Sequence, residues 1–284
     1  MRPALAIAAL ALLELAGPPA RAQGNAAVAA PPDAGAAALP SAGPAVAAAA
    51  PLAPPKPLPP IPRGLGRVTG RITLQGAPPP LPAIDVARAS PPGPTSASAP
   101  GNAGRDLRAC GLSQPDLSLQ LGPGGGVLET LLWAVDGPAP IKGAHPAARV
   151  AIEGCRFQPR LVVTTAGAEL TLVNRDALYH NVTGTGIASF SYALVLKDHE
   201  LPMRLKKPGL LTLESKLRSW MKGYVQVLPT TAWSITDTDG SYFIDLPPGK
   251  HTIMLWHERL GEREATVDIV AGETTPRDFA LEPQ

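Results

Sequence analysis

The chain has 284 residues, of which 28 are glycine and 35 are proline, a joint share of about 22% against roughly 12% in average proteins. Twenty-two of the prolines lie in the first 100 residues, which excludes one large helical protein with a uniform core. The net charge of +2 gives no electrostatic reason to expect a nucleic acid or an anionic membrane as a partner.

Residues 1–22 contain the three parts of an export signal. Arg2 precedes an apolar run from Ala4 to Ala16, and Ala20-Arg21-Ala22 supplies a cleavage site of the A-x-A type. The run is shorter than the roughly 20 residues of a membrane helix. We predict a cleaved signal peptide, a periplasmic or extracellular location and no membrane span after cleavage; the alternative is an uncleaved anchor.

Residues 23–63 consist mainly of alanine and proline. Such a segment buries too little apolar surface to offset its ordering entropy, so we predict a disordered, semi-stiff tether. The alternative is a peptide ligand for a partner domain.

The first predicted strand is Gly66 to Leu74, in which apolar and polar residues alternate. Eight prolines between residues 77 and 104 predict a surface loop. Leu117 to Leu121 and Val127 to Val135 are predicted as strands.

From residue 148 onward, short apolar segments alternate with turn residues, a pattern that favours an all-β sandwich or barrel. Helical turns are considered only for residues 198–206 and 214–222. The predicted strands are 148–153, 160–165, 168–174, 178–183, 192–196, 210–214, 223–228, 232–236, 241–246, 250–256 and 264–270.

The sequence contains two cysteines, Cys110 and Cys155. In an exported chain an even number of cysteines favours pairing, so we predict a disulfide between them; two free thiols are the alternative.

The segment Cys155-Arg156-Phe157-Gln158-Pro159 is followed by Asn174-Arg175-Asp176 before His180, and Trp220-Met221 comes later in the chain. Together these residues resemble bacterial exported cupredoxins of the plastocyanin type, in which Trp220-Met221 would lie in the closing loop. The resemblance covers residues 148–228 best. It implies a Greek-key β-sandwich in which type 1 copper is held by two histidines, a cysteine and a methionine.

The same resemblance indicates that two of the four copper ligands are replaced. His180 and Met221 stand at the first and last ligand positions, whereas the cysteine position holds Ser215 and the second histidine position holds Arg218. A serine hydroxyl is a hard, weak ligand, and a guanidinium has no lone pair to donate. We therefore predict a vestigial copper site, with no cofactor and no bound metal.

An alternative remains for His180, and a further expectation concerns Arg218. His180 could join another histidine in a different kind of metal site. Arg218 is expected to need a buried partner, either a carboxylate or several carbonyl groups, and Glu214 and Asp176 are the nearest carboxylates along the sequence.

The C-terminal part of the sequence contains Asp237-Thr238-Asp239-Gly240, which predicts a tight turn, and Leu246-Pro247-Pro248-Gly249. These segments resemble the carboxypeptidase regulatory-like family. The resemblance implies a small transthyretin-like β-sandwich. We assign residues 64–228 to a cupredoxin-like domain and 229–284 to this module, while leaving open whether Gly66 to Leu74 shares its sheet.

Trp256, His257 and Glu258 form a possible binding patch at a strand end, although a buried tryptophan with polar neighbours is the simpler interpretation. No nucleophile elbow, zinc-protease motif or phosphate loop occurs, and we therefore predict no enzymatic activity.

These features predict an exported, non-catalytic binding or structural protein of the cell envelope. Its partner would be an unknown envelope protein or a glycan. The alternatives are a copper-binding electron-transfer protein and a carbohydrate-binding module.

Overall fold

A computed structural model describes residues 57–90, 102–141, 143 and 145–283. The predicted signal peptide and the tether up to residue 56 lie outside the described residues. Within them the chain is all-β, as predicted, with short helices only. The helical segments are α1 (Val86–Ala89), α2 (Asn102–Cys110) and the 3₁₀ turn Pro123–Gly125.

The strands of the described residues follow in chain order. They are β1 (Gly66–Leu74), β2 (Ile84–Asp85), β3 (Ser113–Gln114), β4 (Leu131–Ala134), β5 (Ala148–Ile152), β6 (Phe157–Gln158), β7 (Leu161–Thr165), β8 (Glu169–Asn174), β9 (His180–Gly186), β10 (Phe190–Leu194), β11 (Glu200–Arg204), β12 (Gly209–Glu214), β13 (Lys222–Leu228), β14 (Trp233–Ile235), β15 (Ser241–Leu246), β16 (Gly249–His257), β17 (Gly261–Ile269), β18 (Thr274–Pro276) and β19 (Phe279–Leu281).

The C-terminal strands form a sandwich together with two strands from far upstream. One sheet has the order β14-β4-β16-β17, and the other has the order β15-β1-β18, with β19 also paired to β1. Val68 and Ile72 of β1 are fully buried in the core of this sandwich. The strand Gly66–Leu74 therefore shares a sheet with the C-terminal module, and the predicted domain boundaries need correction: β1 and β4 belong with residues 229–284.

Two glycines let β1 approach the end of the chain. A Cβ atom on Gly70 would lie 1.8 Å from the carbonyl oxygen of Arg277, and one on Gly66 would lie 2.1 Å from that of Val270. Only glycine allows backbone contacts of this kind without displacing the neighbouring chain.

Residues 148–228 form a second sandwich, inserted between strands of the first. Its sheets have the orders β10-β9-β12-β13-β7 and β11-β8-β5-β6. Most pairs are antiparallel, but β7 runs parallel to β13 and β5 runs parallel to β8. Buried side chains of both sheets, such as Leu172 and Val225, form its core.

Three local expectations differ from the structure. Residues 198–206 contain the strand β11, which pairs with β8 along the sheet edge, where Pro202 is tolerated. Residues 117–121 make only an isolated bridge between Leu121 and Val127. The predicted loop 77–104 contains β2, α1 and the start of α2.

The two sandwiches meet at an apolar cluster. Leu131 and Trp256 of one sandwich and Leu161 of the other are buried there, with Tyr224 packed against them. Among the helices that the structure describes, none has the length and apolar character needed to cross a membrane.

Candidate functional site

The four positions predicted as a vestigial copper site are all buried. His180 is the first residue of β9, and Ser215, Arg218 and Met221 lie in the turn between β12 and β13. The turn brings Arg218 to the imidazole, with 3.3 Å between its Nη1 atom and Nδ1 of His180. A guanidinium can only donate, so Nδ1 accepts and the ring proton is on Nε2.

The other side of the His180 ring faces Asp176, which is placed by an Asx turn. The amide of Asp176 donates to Oδ1 of Asn174 at 3.0 Å, and Asn174 is itself buried and donates to carbonyls of the neighbouring loops. Nε2 of His180 lies 2.8 Å from Oδ2 of Asp176. The orientation of the imidazole is thus fixed at both nitrogens.

The carboxylate of Asp176 is held by further hydrogen bonds from the backbone. The amides of Gly154 and Cys155 donate to it at 2.8 and 3.0 Å. Burial would raise the pKa of Asp176, but the hydrogen bonds from His180 and these two amides outweigh burial and lower the pKa below its ordinary value. Asp176 is therefore an ionised partner of His180 at neutral pH.

Ser215 caps the turn that carries Arg218. Its Oγ accepts from the amides of Leu217 and Arg218 at 3.3 and 3.2 Å. The amide of Met221 in turn donates to the carbonyl of Arg218 at 2.9 Å. The hydroxyl of Ser215 thus stabilises the loop backbone.

Arg218 is neutralised by Asp106 of α2. Its Nη2 atom lies 2.6 Å from Oδ1 of Asp106, and both side chains are almost completely buried, with 4% and 1% exposed. Ser90 donates to the other carboxylate oxygen at 2.8 Å, and Nη1 of Arg218 also donates to the carbonyl of Tyr179. The expected carboxylate partner therefore exists.

The identity of that partner differs from both sequence candidates. Asp176 is engaged by His180, and Glu214 is half exposed, with an oxygen 3.9 Å from Nζ of Lys222. Asp106 is about 110 positions from Arg218 in the sequence, which is why proximity along the chain missed it. One feature of the sequence could have pointed to Asp106. It lies four residues before Cys110, so both side chains are on the same face of a helix.

The disulfide between Cys110 and Cys155 was predicted correctly. It joins the end of α2 to the loop between β5 and β6, next to the amide that binds Asp176. The bridge thus fixes the helix that carries Asp106 beside the loop whose amides hold the carboxylate of Asp176.

Type 1 copper does not fit these residues. The thiolate position holds a hydroxyl that caps a turn, and Nδ1 of His180 is occupied by the guanidinium of Arg218. Because the guanidinium carries a permanent positive charge, it repels a cation from that nitrogen.

The possible patch of Trp256, His257 and Glu258 is not a surface patch. Trp256 and His257 are only 8% and 2% exposed, and Trp256 packs edge-on against Tyr224. Burial, together with the positive charges of Arg160 and Arg259, lowers the pKa of His257 to about 4. His257 is therefore a neutral core residue whose Nδ1 accepts from the backbone.

Glu258 lies at the junction of the two sandwiches. It forms an ion pair with Arg160 and accepts from the hydroxyl of Tyr224 at 2.7 Å. Arg160 and Glu258 border a cavity of about 280 Å³, whose wall also includes Trp220 and Met221. The cavity combines charges of both signs with apolar surface, a lining suited to a small polar ligand.

No protein-family model matches the sequence, and no curated protein matches it. Solved structures that match part of this chain include a purple cupredoxin from Nitrosopumilus maritimus, with 16% identity, a TM-score of 0.25 and coverage of 28% of this chain and 98% of that one. A methionine-to-alanine mutant of amicyanin in the Cu(I) state has 17% identity, a TM-score of 0.27 and coverage of 34% and 97%.

A third similar structure is the copper-containing nitrite reductase of Thermus scotoductus, with 20% identity and a TM-score of 0.27. The match covers 40% of this chain and 26% of that one. All three structures match only part of this chain, at 20% identity or less.

Proposed function

We propose that this chain is an exported, non-catalytic binding or structural protein of the cell envelope, with a cupredoxin-like sandwich that functions without copper. The observation that carries the proposal is the guanidinium of Arg218, which donates to Nδ1 of His180 and is neutralised by Asp106. The interior that would otherwise hold a metal is filled by a buried ion pair.

The alternative of a copper electron carrier requires a thiolate and two free imidazoles. Within the vestigial site, His180 is the only imidazole and its Nδ1 is already an acceptor for Arg218. Reversible one-electron chemistry at that site would need both Ser215 and Arg218 to be replaced.

The experiment is a Cu(II) titration of the disulfide-bonded protein, followed by absorption spectroscopy. We expect no intense thiolate-to-copper band and no stoichiometric binding at His180. A variant combining Ser215→Cys, Arg218→His and Asp106→Asn is expected to gain the band, because it restores the donor set and removes the buried carboxylate left by Arg218. A blue native protein would refute the proposal.

One observation favours carbohydrate binding as a second candidate function. Trp233 of β14 is 38% exposed and pairs in register with Trp133 of β4, which places two indole side chains next to each other on one sheet face. Exposed aromatic rings can stack on sugar faces. Glycan-array binding that is lost in a Trp233→Ala variant, but kept in a Tyr192→Ala variant, would support this candidate.

A further inference from the structure

We propose that the chain binds one Zn²⁺ ion when its disulfide is open, through Cys110, Cys155, Asp176 and His180. The Sγ atom of Cys155, a carboxylate oxygen of Asp176 and a ring nitrogen of His180 all lie within 4.8 Å of one another. Cys110 adds a second sulfur, because it is bonded directly to Cys155. This site is distinct from the vestigial copper positions, of which it shares only His180.

The donor set suits a tetrahedral zinc ion. Thiolate sulfur, imidazole nitrogen and carboxylate oxygen are the usual ligands, and Zn–ligand bonds of about 2.0–2.3 Å place neighbouring ligand atoms about 3.4–3.8 Å apart. The ligand atoms of Cys155, Asp176 and His180 lie within 4.8 Å of one another, and Nε2 of His180 is 2.8 Å from Oδ2 of Asp176. Small side-chain rotations, together with separation of the two sulfurs, are the changes that binding requires.

The chemistry begins with reduction of the disulfide. Two molecules of a thiol reductant are oxidised to a disulfide, and their two electrons and two protons convert the bond between Cys110 and Cys155 into two thiols. A phosphine gives the same two thiols by consuming one water molecule and becoming a phosphine oxide. Zn²⁺ then displaces both thiol protons, so that binding releases protons and weakens at low pH. In the disulfide form neither sulfur is a thiolate, and the site lacks half of its ligands.

The surrounding structure already holds Cys155, His180 and Asp176 in place. Cys155 and His180 are fully buried, whereas the side chain of Asp176 is 13% exposed and gives the cluster its contact with solvent. The amides of Gly154 and Cys155 orient the Asp176 carboxylate from behind. Hydrogen bonds of this kind fix ligands in established metal sites.

Arg218 opposes zinc at this site. Coordination through Nε2 moves the ring proton of His180 to Nδ1, which at present accepts from Arg218. The guanidinium is only a donor, so the two groups would then face each other with hydrogens. Asp106 holds Arg218 in this position from α2, and the disulfide anchors that helix. Opening the disulfide therefore also lets Arg218 move away from His180 more easily.

The test is a titration of the full chain with Co²⁺, reduced by a phosphine or kept oxidised, with Zn²⁺ as competitor. The reduced protein is expected to bind one equivalent with sulfur-to-cobalt charge-transfer absorption, at least about 100-fold more tightly than the oxidised protein. His180→Gln and Asp176→Asn should each weaken binding by about 10-fold or more. His251→Gln, at a histidine paired with Asp136 elsewhere, should leave binding unchanged.

A second variant tests the opposition by Arg218. The neutral pair Asp106→Asn with Arg218→Gln offers an acceptor to Nδ1–H of His180 and is expected to tighten binding by the reduced chain several-fold. Absence of stoichiometric binding by the reduced protein would overturn the proposal. Equal affinity of the reduced wild type and His180→Gln would overturn it as well, since a dithiol in an unfolded chain binds without the histidine. Neither result measures the Cu(II) titration of the oxidised protein, so the proposed function is judged separately.

Discussion

At the scale of single residues, a buried hydrogen-bond chain connects three segments that are distant in sequence. It runs from Ser90 through Asp106 and Arg218 to His180 and Asp176. A buried charge is costly unless it is paired, and in this chain the positive guanidinium lies between a carboxylate and an imidazole. The network therefore fills the interior around His180 and Arg218 and balances the buried charge there.

The buried ion pair leads to a first prediction. Asp106→Asn leaves the guanidinium of Arg218 without its counter-charge, and the free energy of unfolding should fall by roughly 3–5 kcal/mol. A double-mutant cycle with Arg218→Gln should give a coupling energy of at least about 2 kcal/mol, measured by chemical denaturation.

The exposed pair of Arg175 and Asp198 is the matched control, with 42% and 56% of the side chains exposed. Asp198→Asn should change stability by less than about 1 kcal/mol. Equal effects of Asp198→Asn and Asp106→Asn would contradict the importance assigned to the buried pair.

His257 leads to a second prediction, on pH dependence. Its folded-state pKa of about 4 is below the ordinary value of 6.5, so the unfolded chain binds this proton first as the pH falls. The contribution of neutral His257 to the free energy of unfolding is fully present above pH 6.5. It is lost between about pH 6.5 and pH 4, and the loss is at most about 3 kcal/mol.

The measurement is the free energy of unfolding between pH 7 and pH 4.5. His257→Asn keeps a side-chain oxygen for the backbone amides of Arg259 and Leu260 but does not titrate, so its stability should depend less on pH than that of the wild type. An unchanged slope would show that other groups cause the acid destabilisation.

At the scale of elements, the pairing of β1 depends on the absence of side chains. A third prediction is that Gly70→Ala destabilises the protein by more than about 2 kcal/mol, because the new Cβ overlaps the carbonyl of Arg277 and separates β1 from the segment joining β18 and β19. Denaturation curves would measure the loss.

Gly76→Ala provides the contrast. Gly76 has a positive φ of 83° but open space around the position of a Cβ, so only backbone strain of about 1 kcal/mol is expected. If Gly76→Ala lowered stability more than Gly70→Ala, the glycines of this region would be explained by their backbone conformation. The close approach of neighbouring backbone would then not be the reason.

At the scale of the whole molecule, one sandwich is inserted into the other. A fourth prediction follows: a fragment of residues 229–284 should be unfolded on its own, since β1 and β4 supply the central positions of its two sheets. Circular dichroism and amide exchange of the fragment would measure this. Adding residues 57–147 as a second fragment should restore strand structure, and a folded 229–284 fragment would contradict the topology.

The sequence by itself predicted the elements whose signals are local. The alternation of apolar residues gave most strands from residue 148 onward within a few positions, and the cysteine count gave the disulfide. The prediction that Ser215 and Arg218 replace two type 1 copper ligands came from the resemblance to cupredoxins, combined with the donor chemistry of the two side chains. These inferences depend on residue type and on spacing over a few positions.

Only the tertiary structure decided which distant segments meet. It placed β1 and β4 with the C-terminal strands, turned residues 200–204 into an edge strand, and buried Trp256 and His257. It also selected Asp106 as the partner of Arg218, although two carboxylates lay closer in the sequence. The physical reason is that sheet pairing and burial act between residues that loop closure brings together, and a single sequence carries no local record of those contacts.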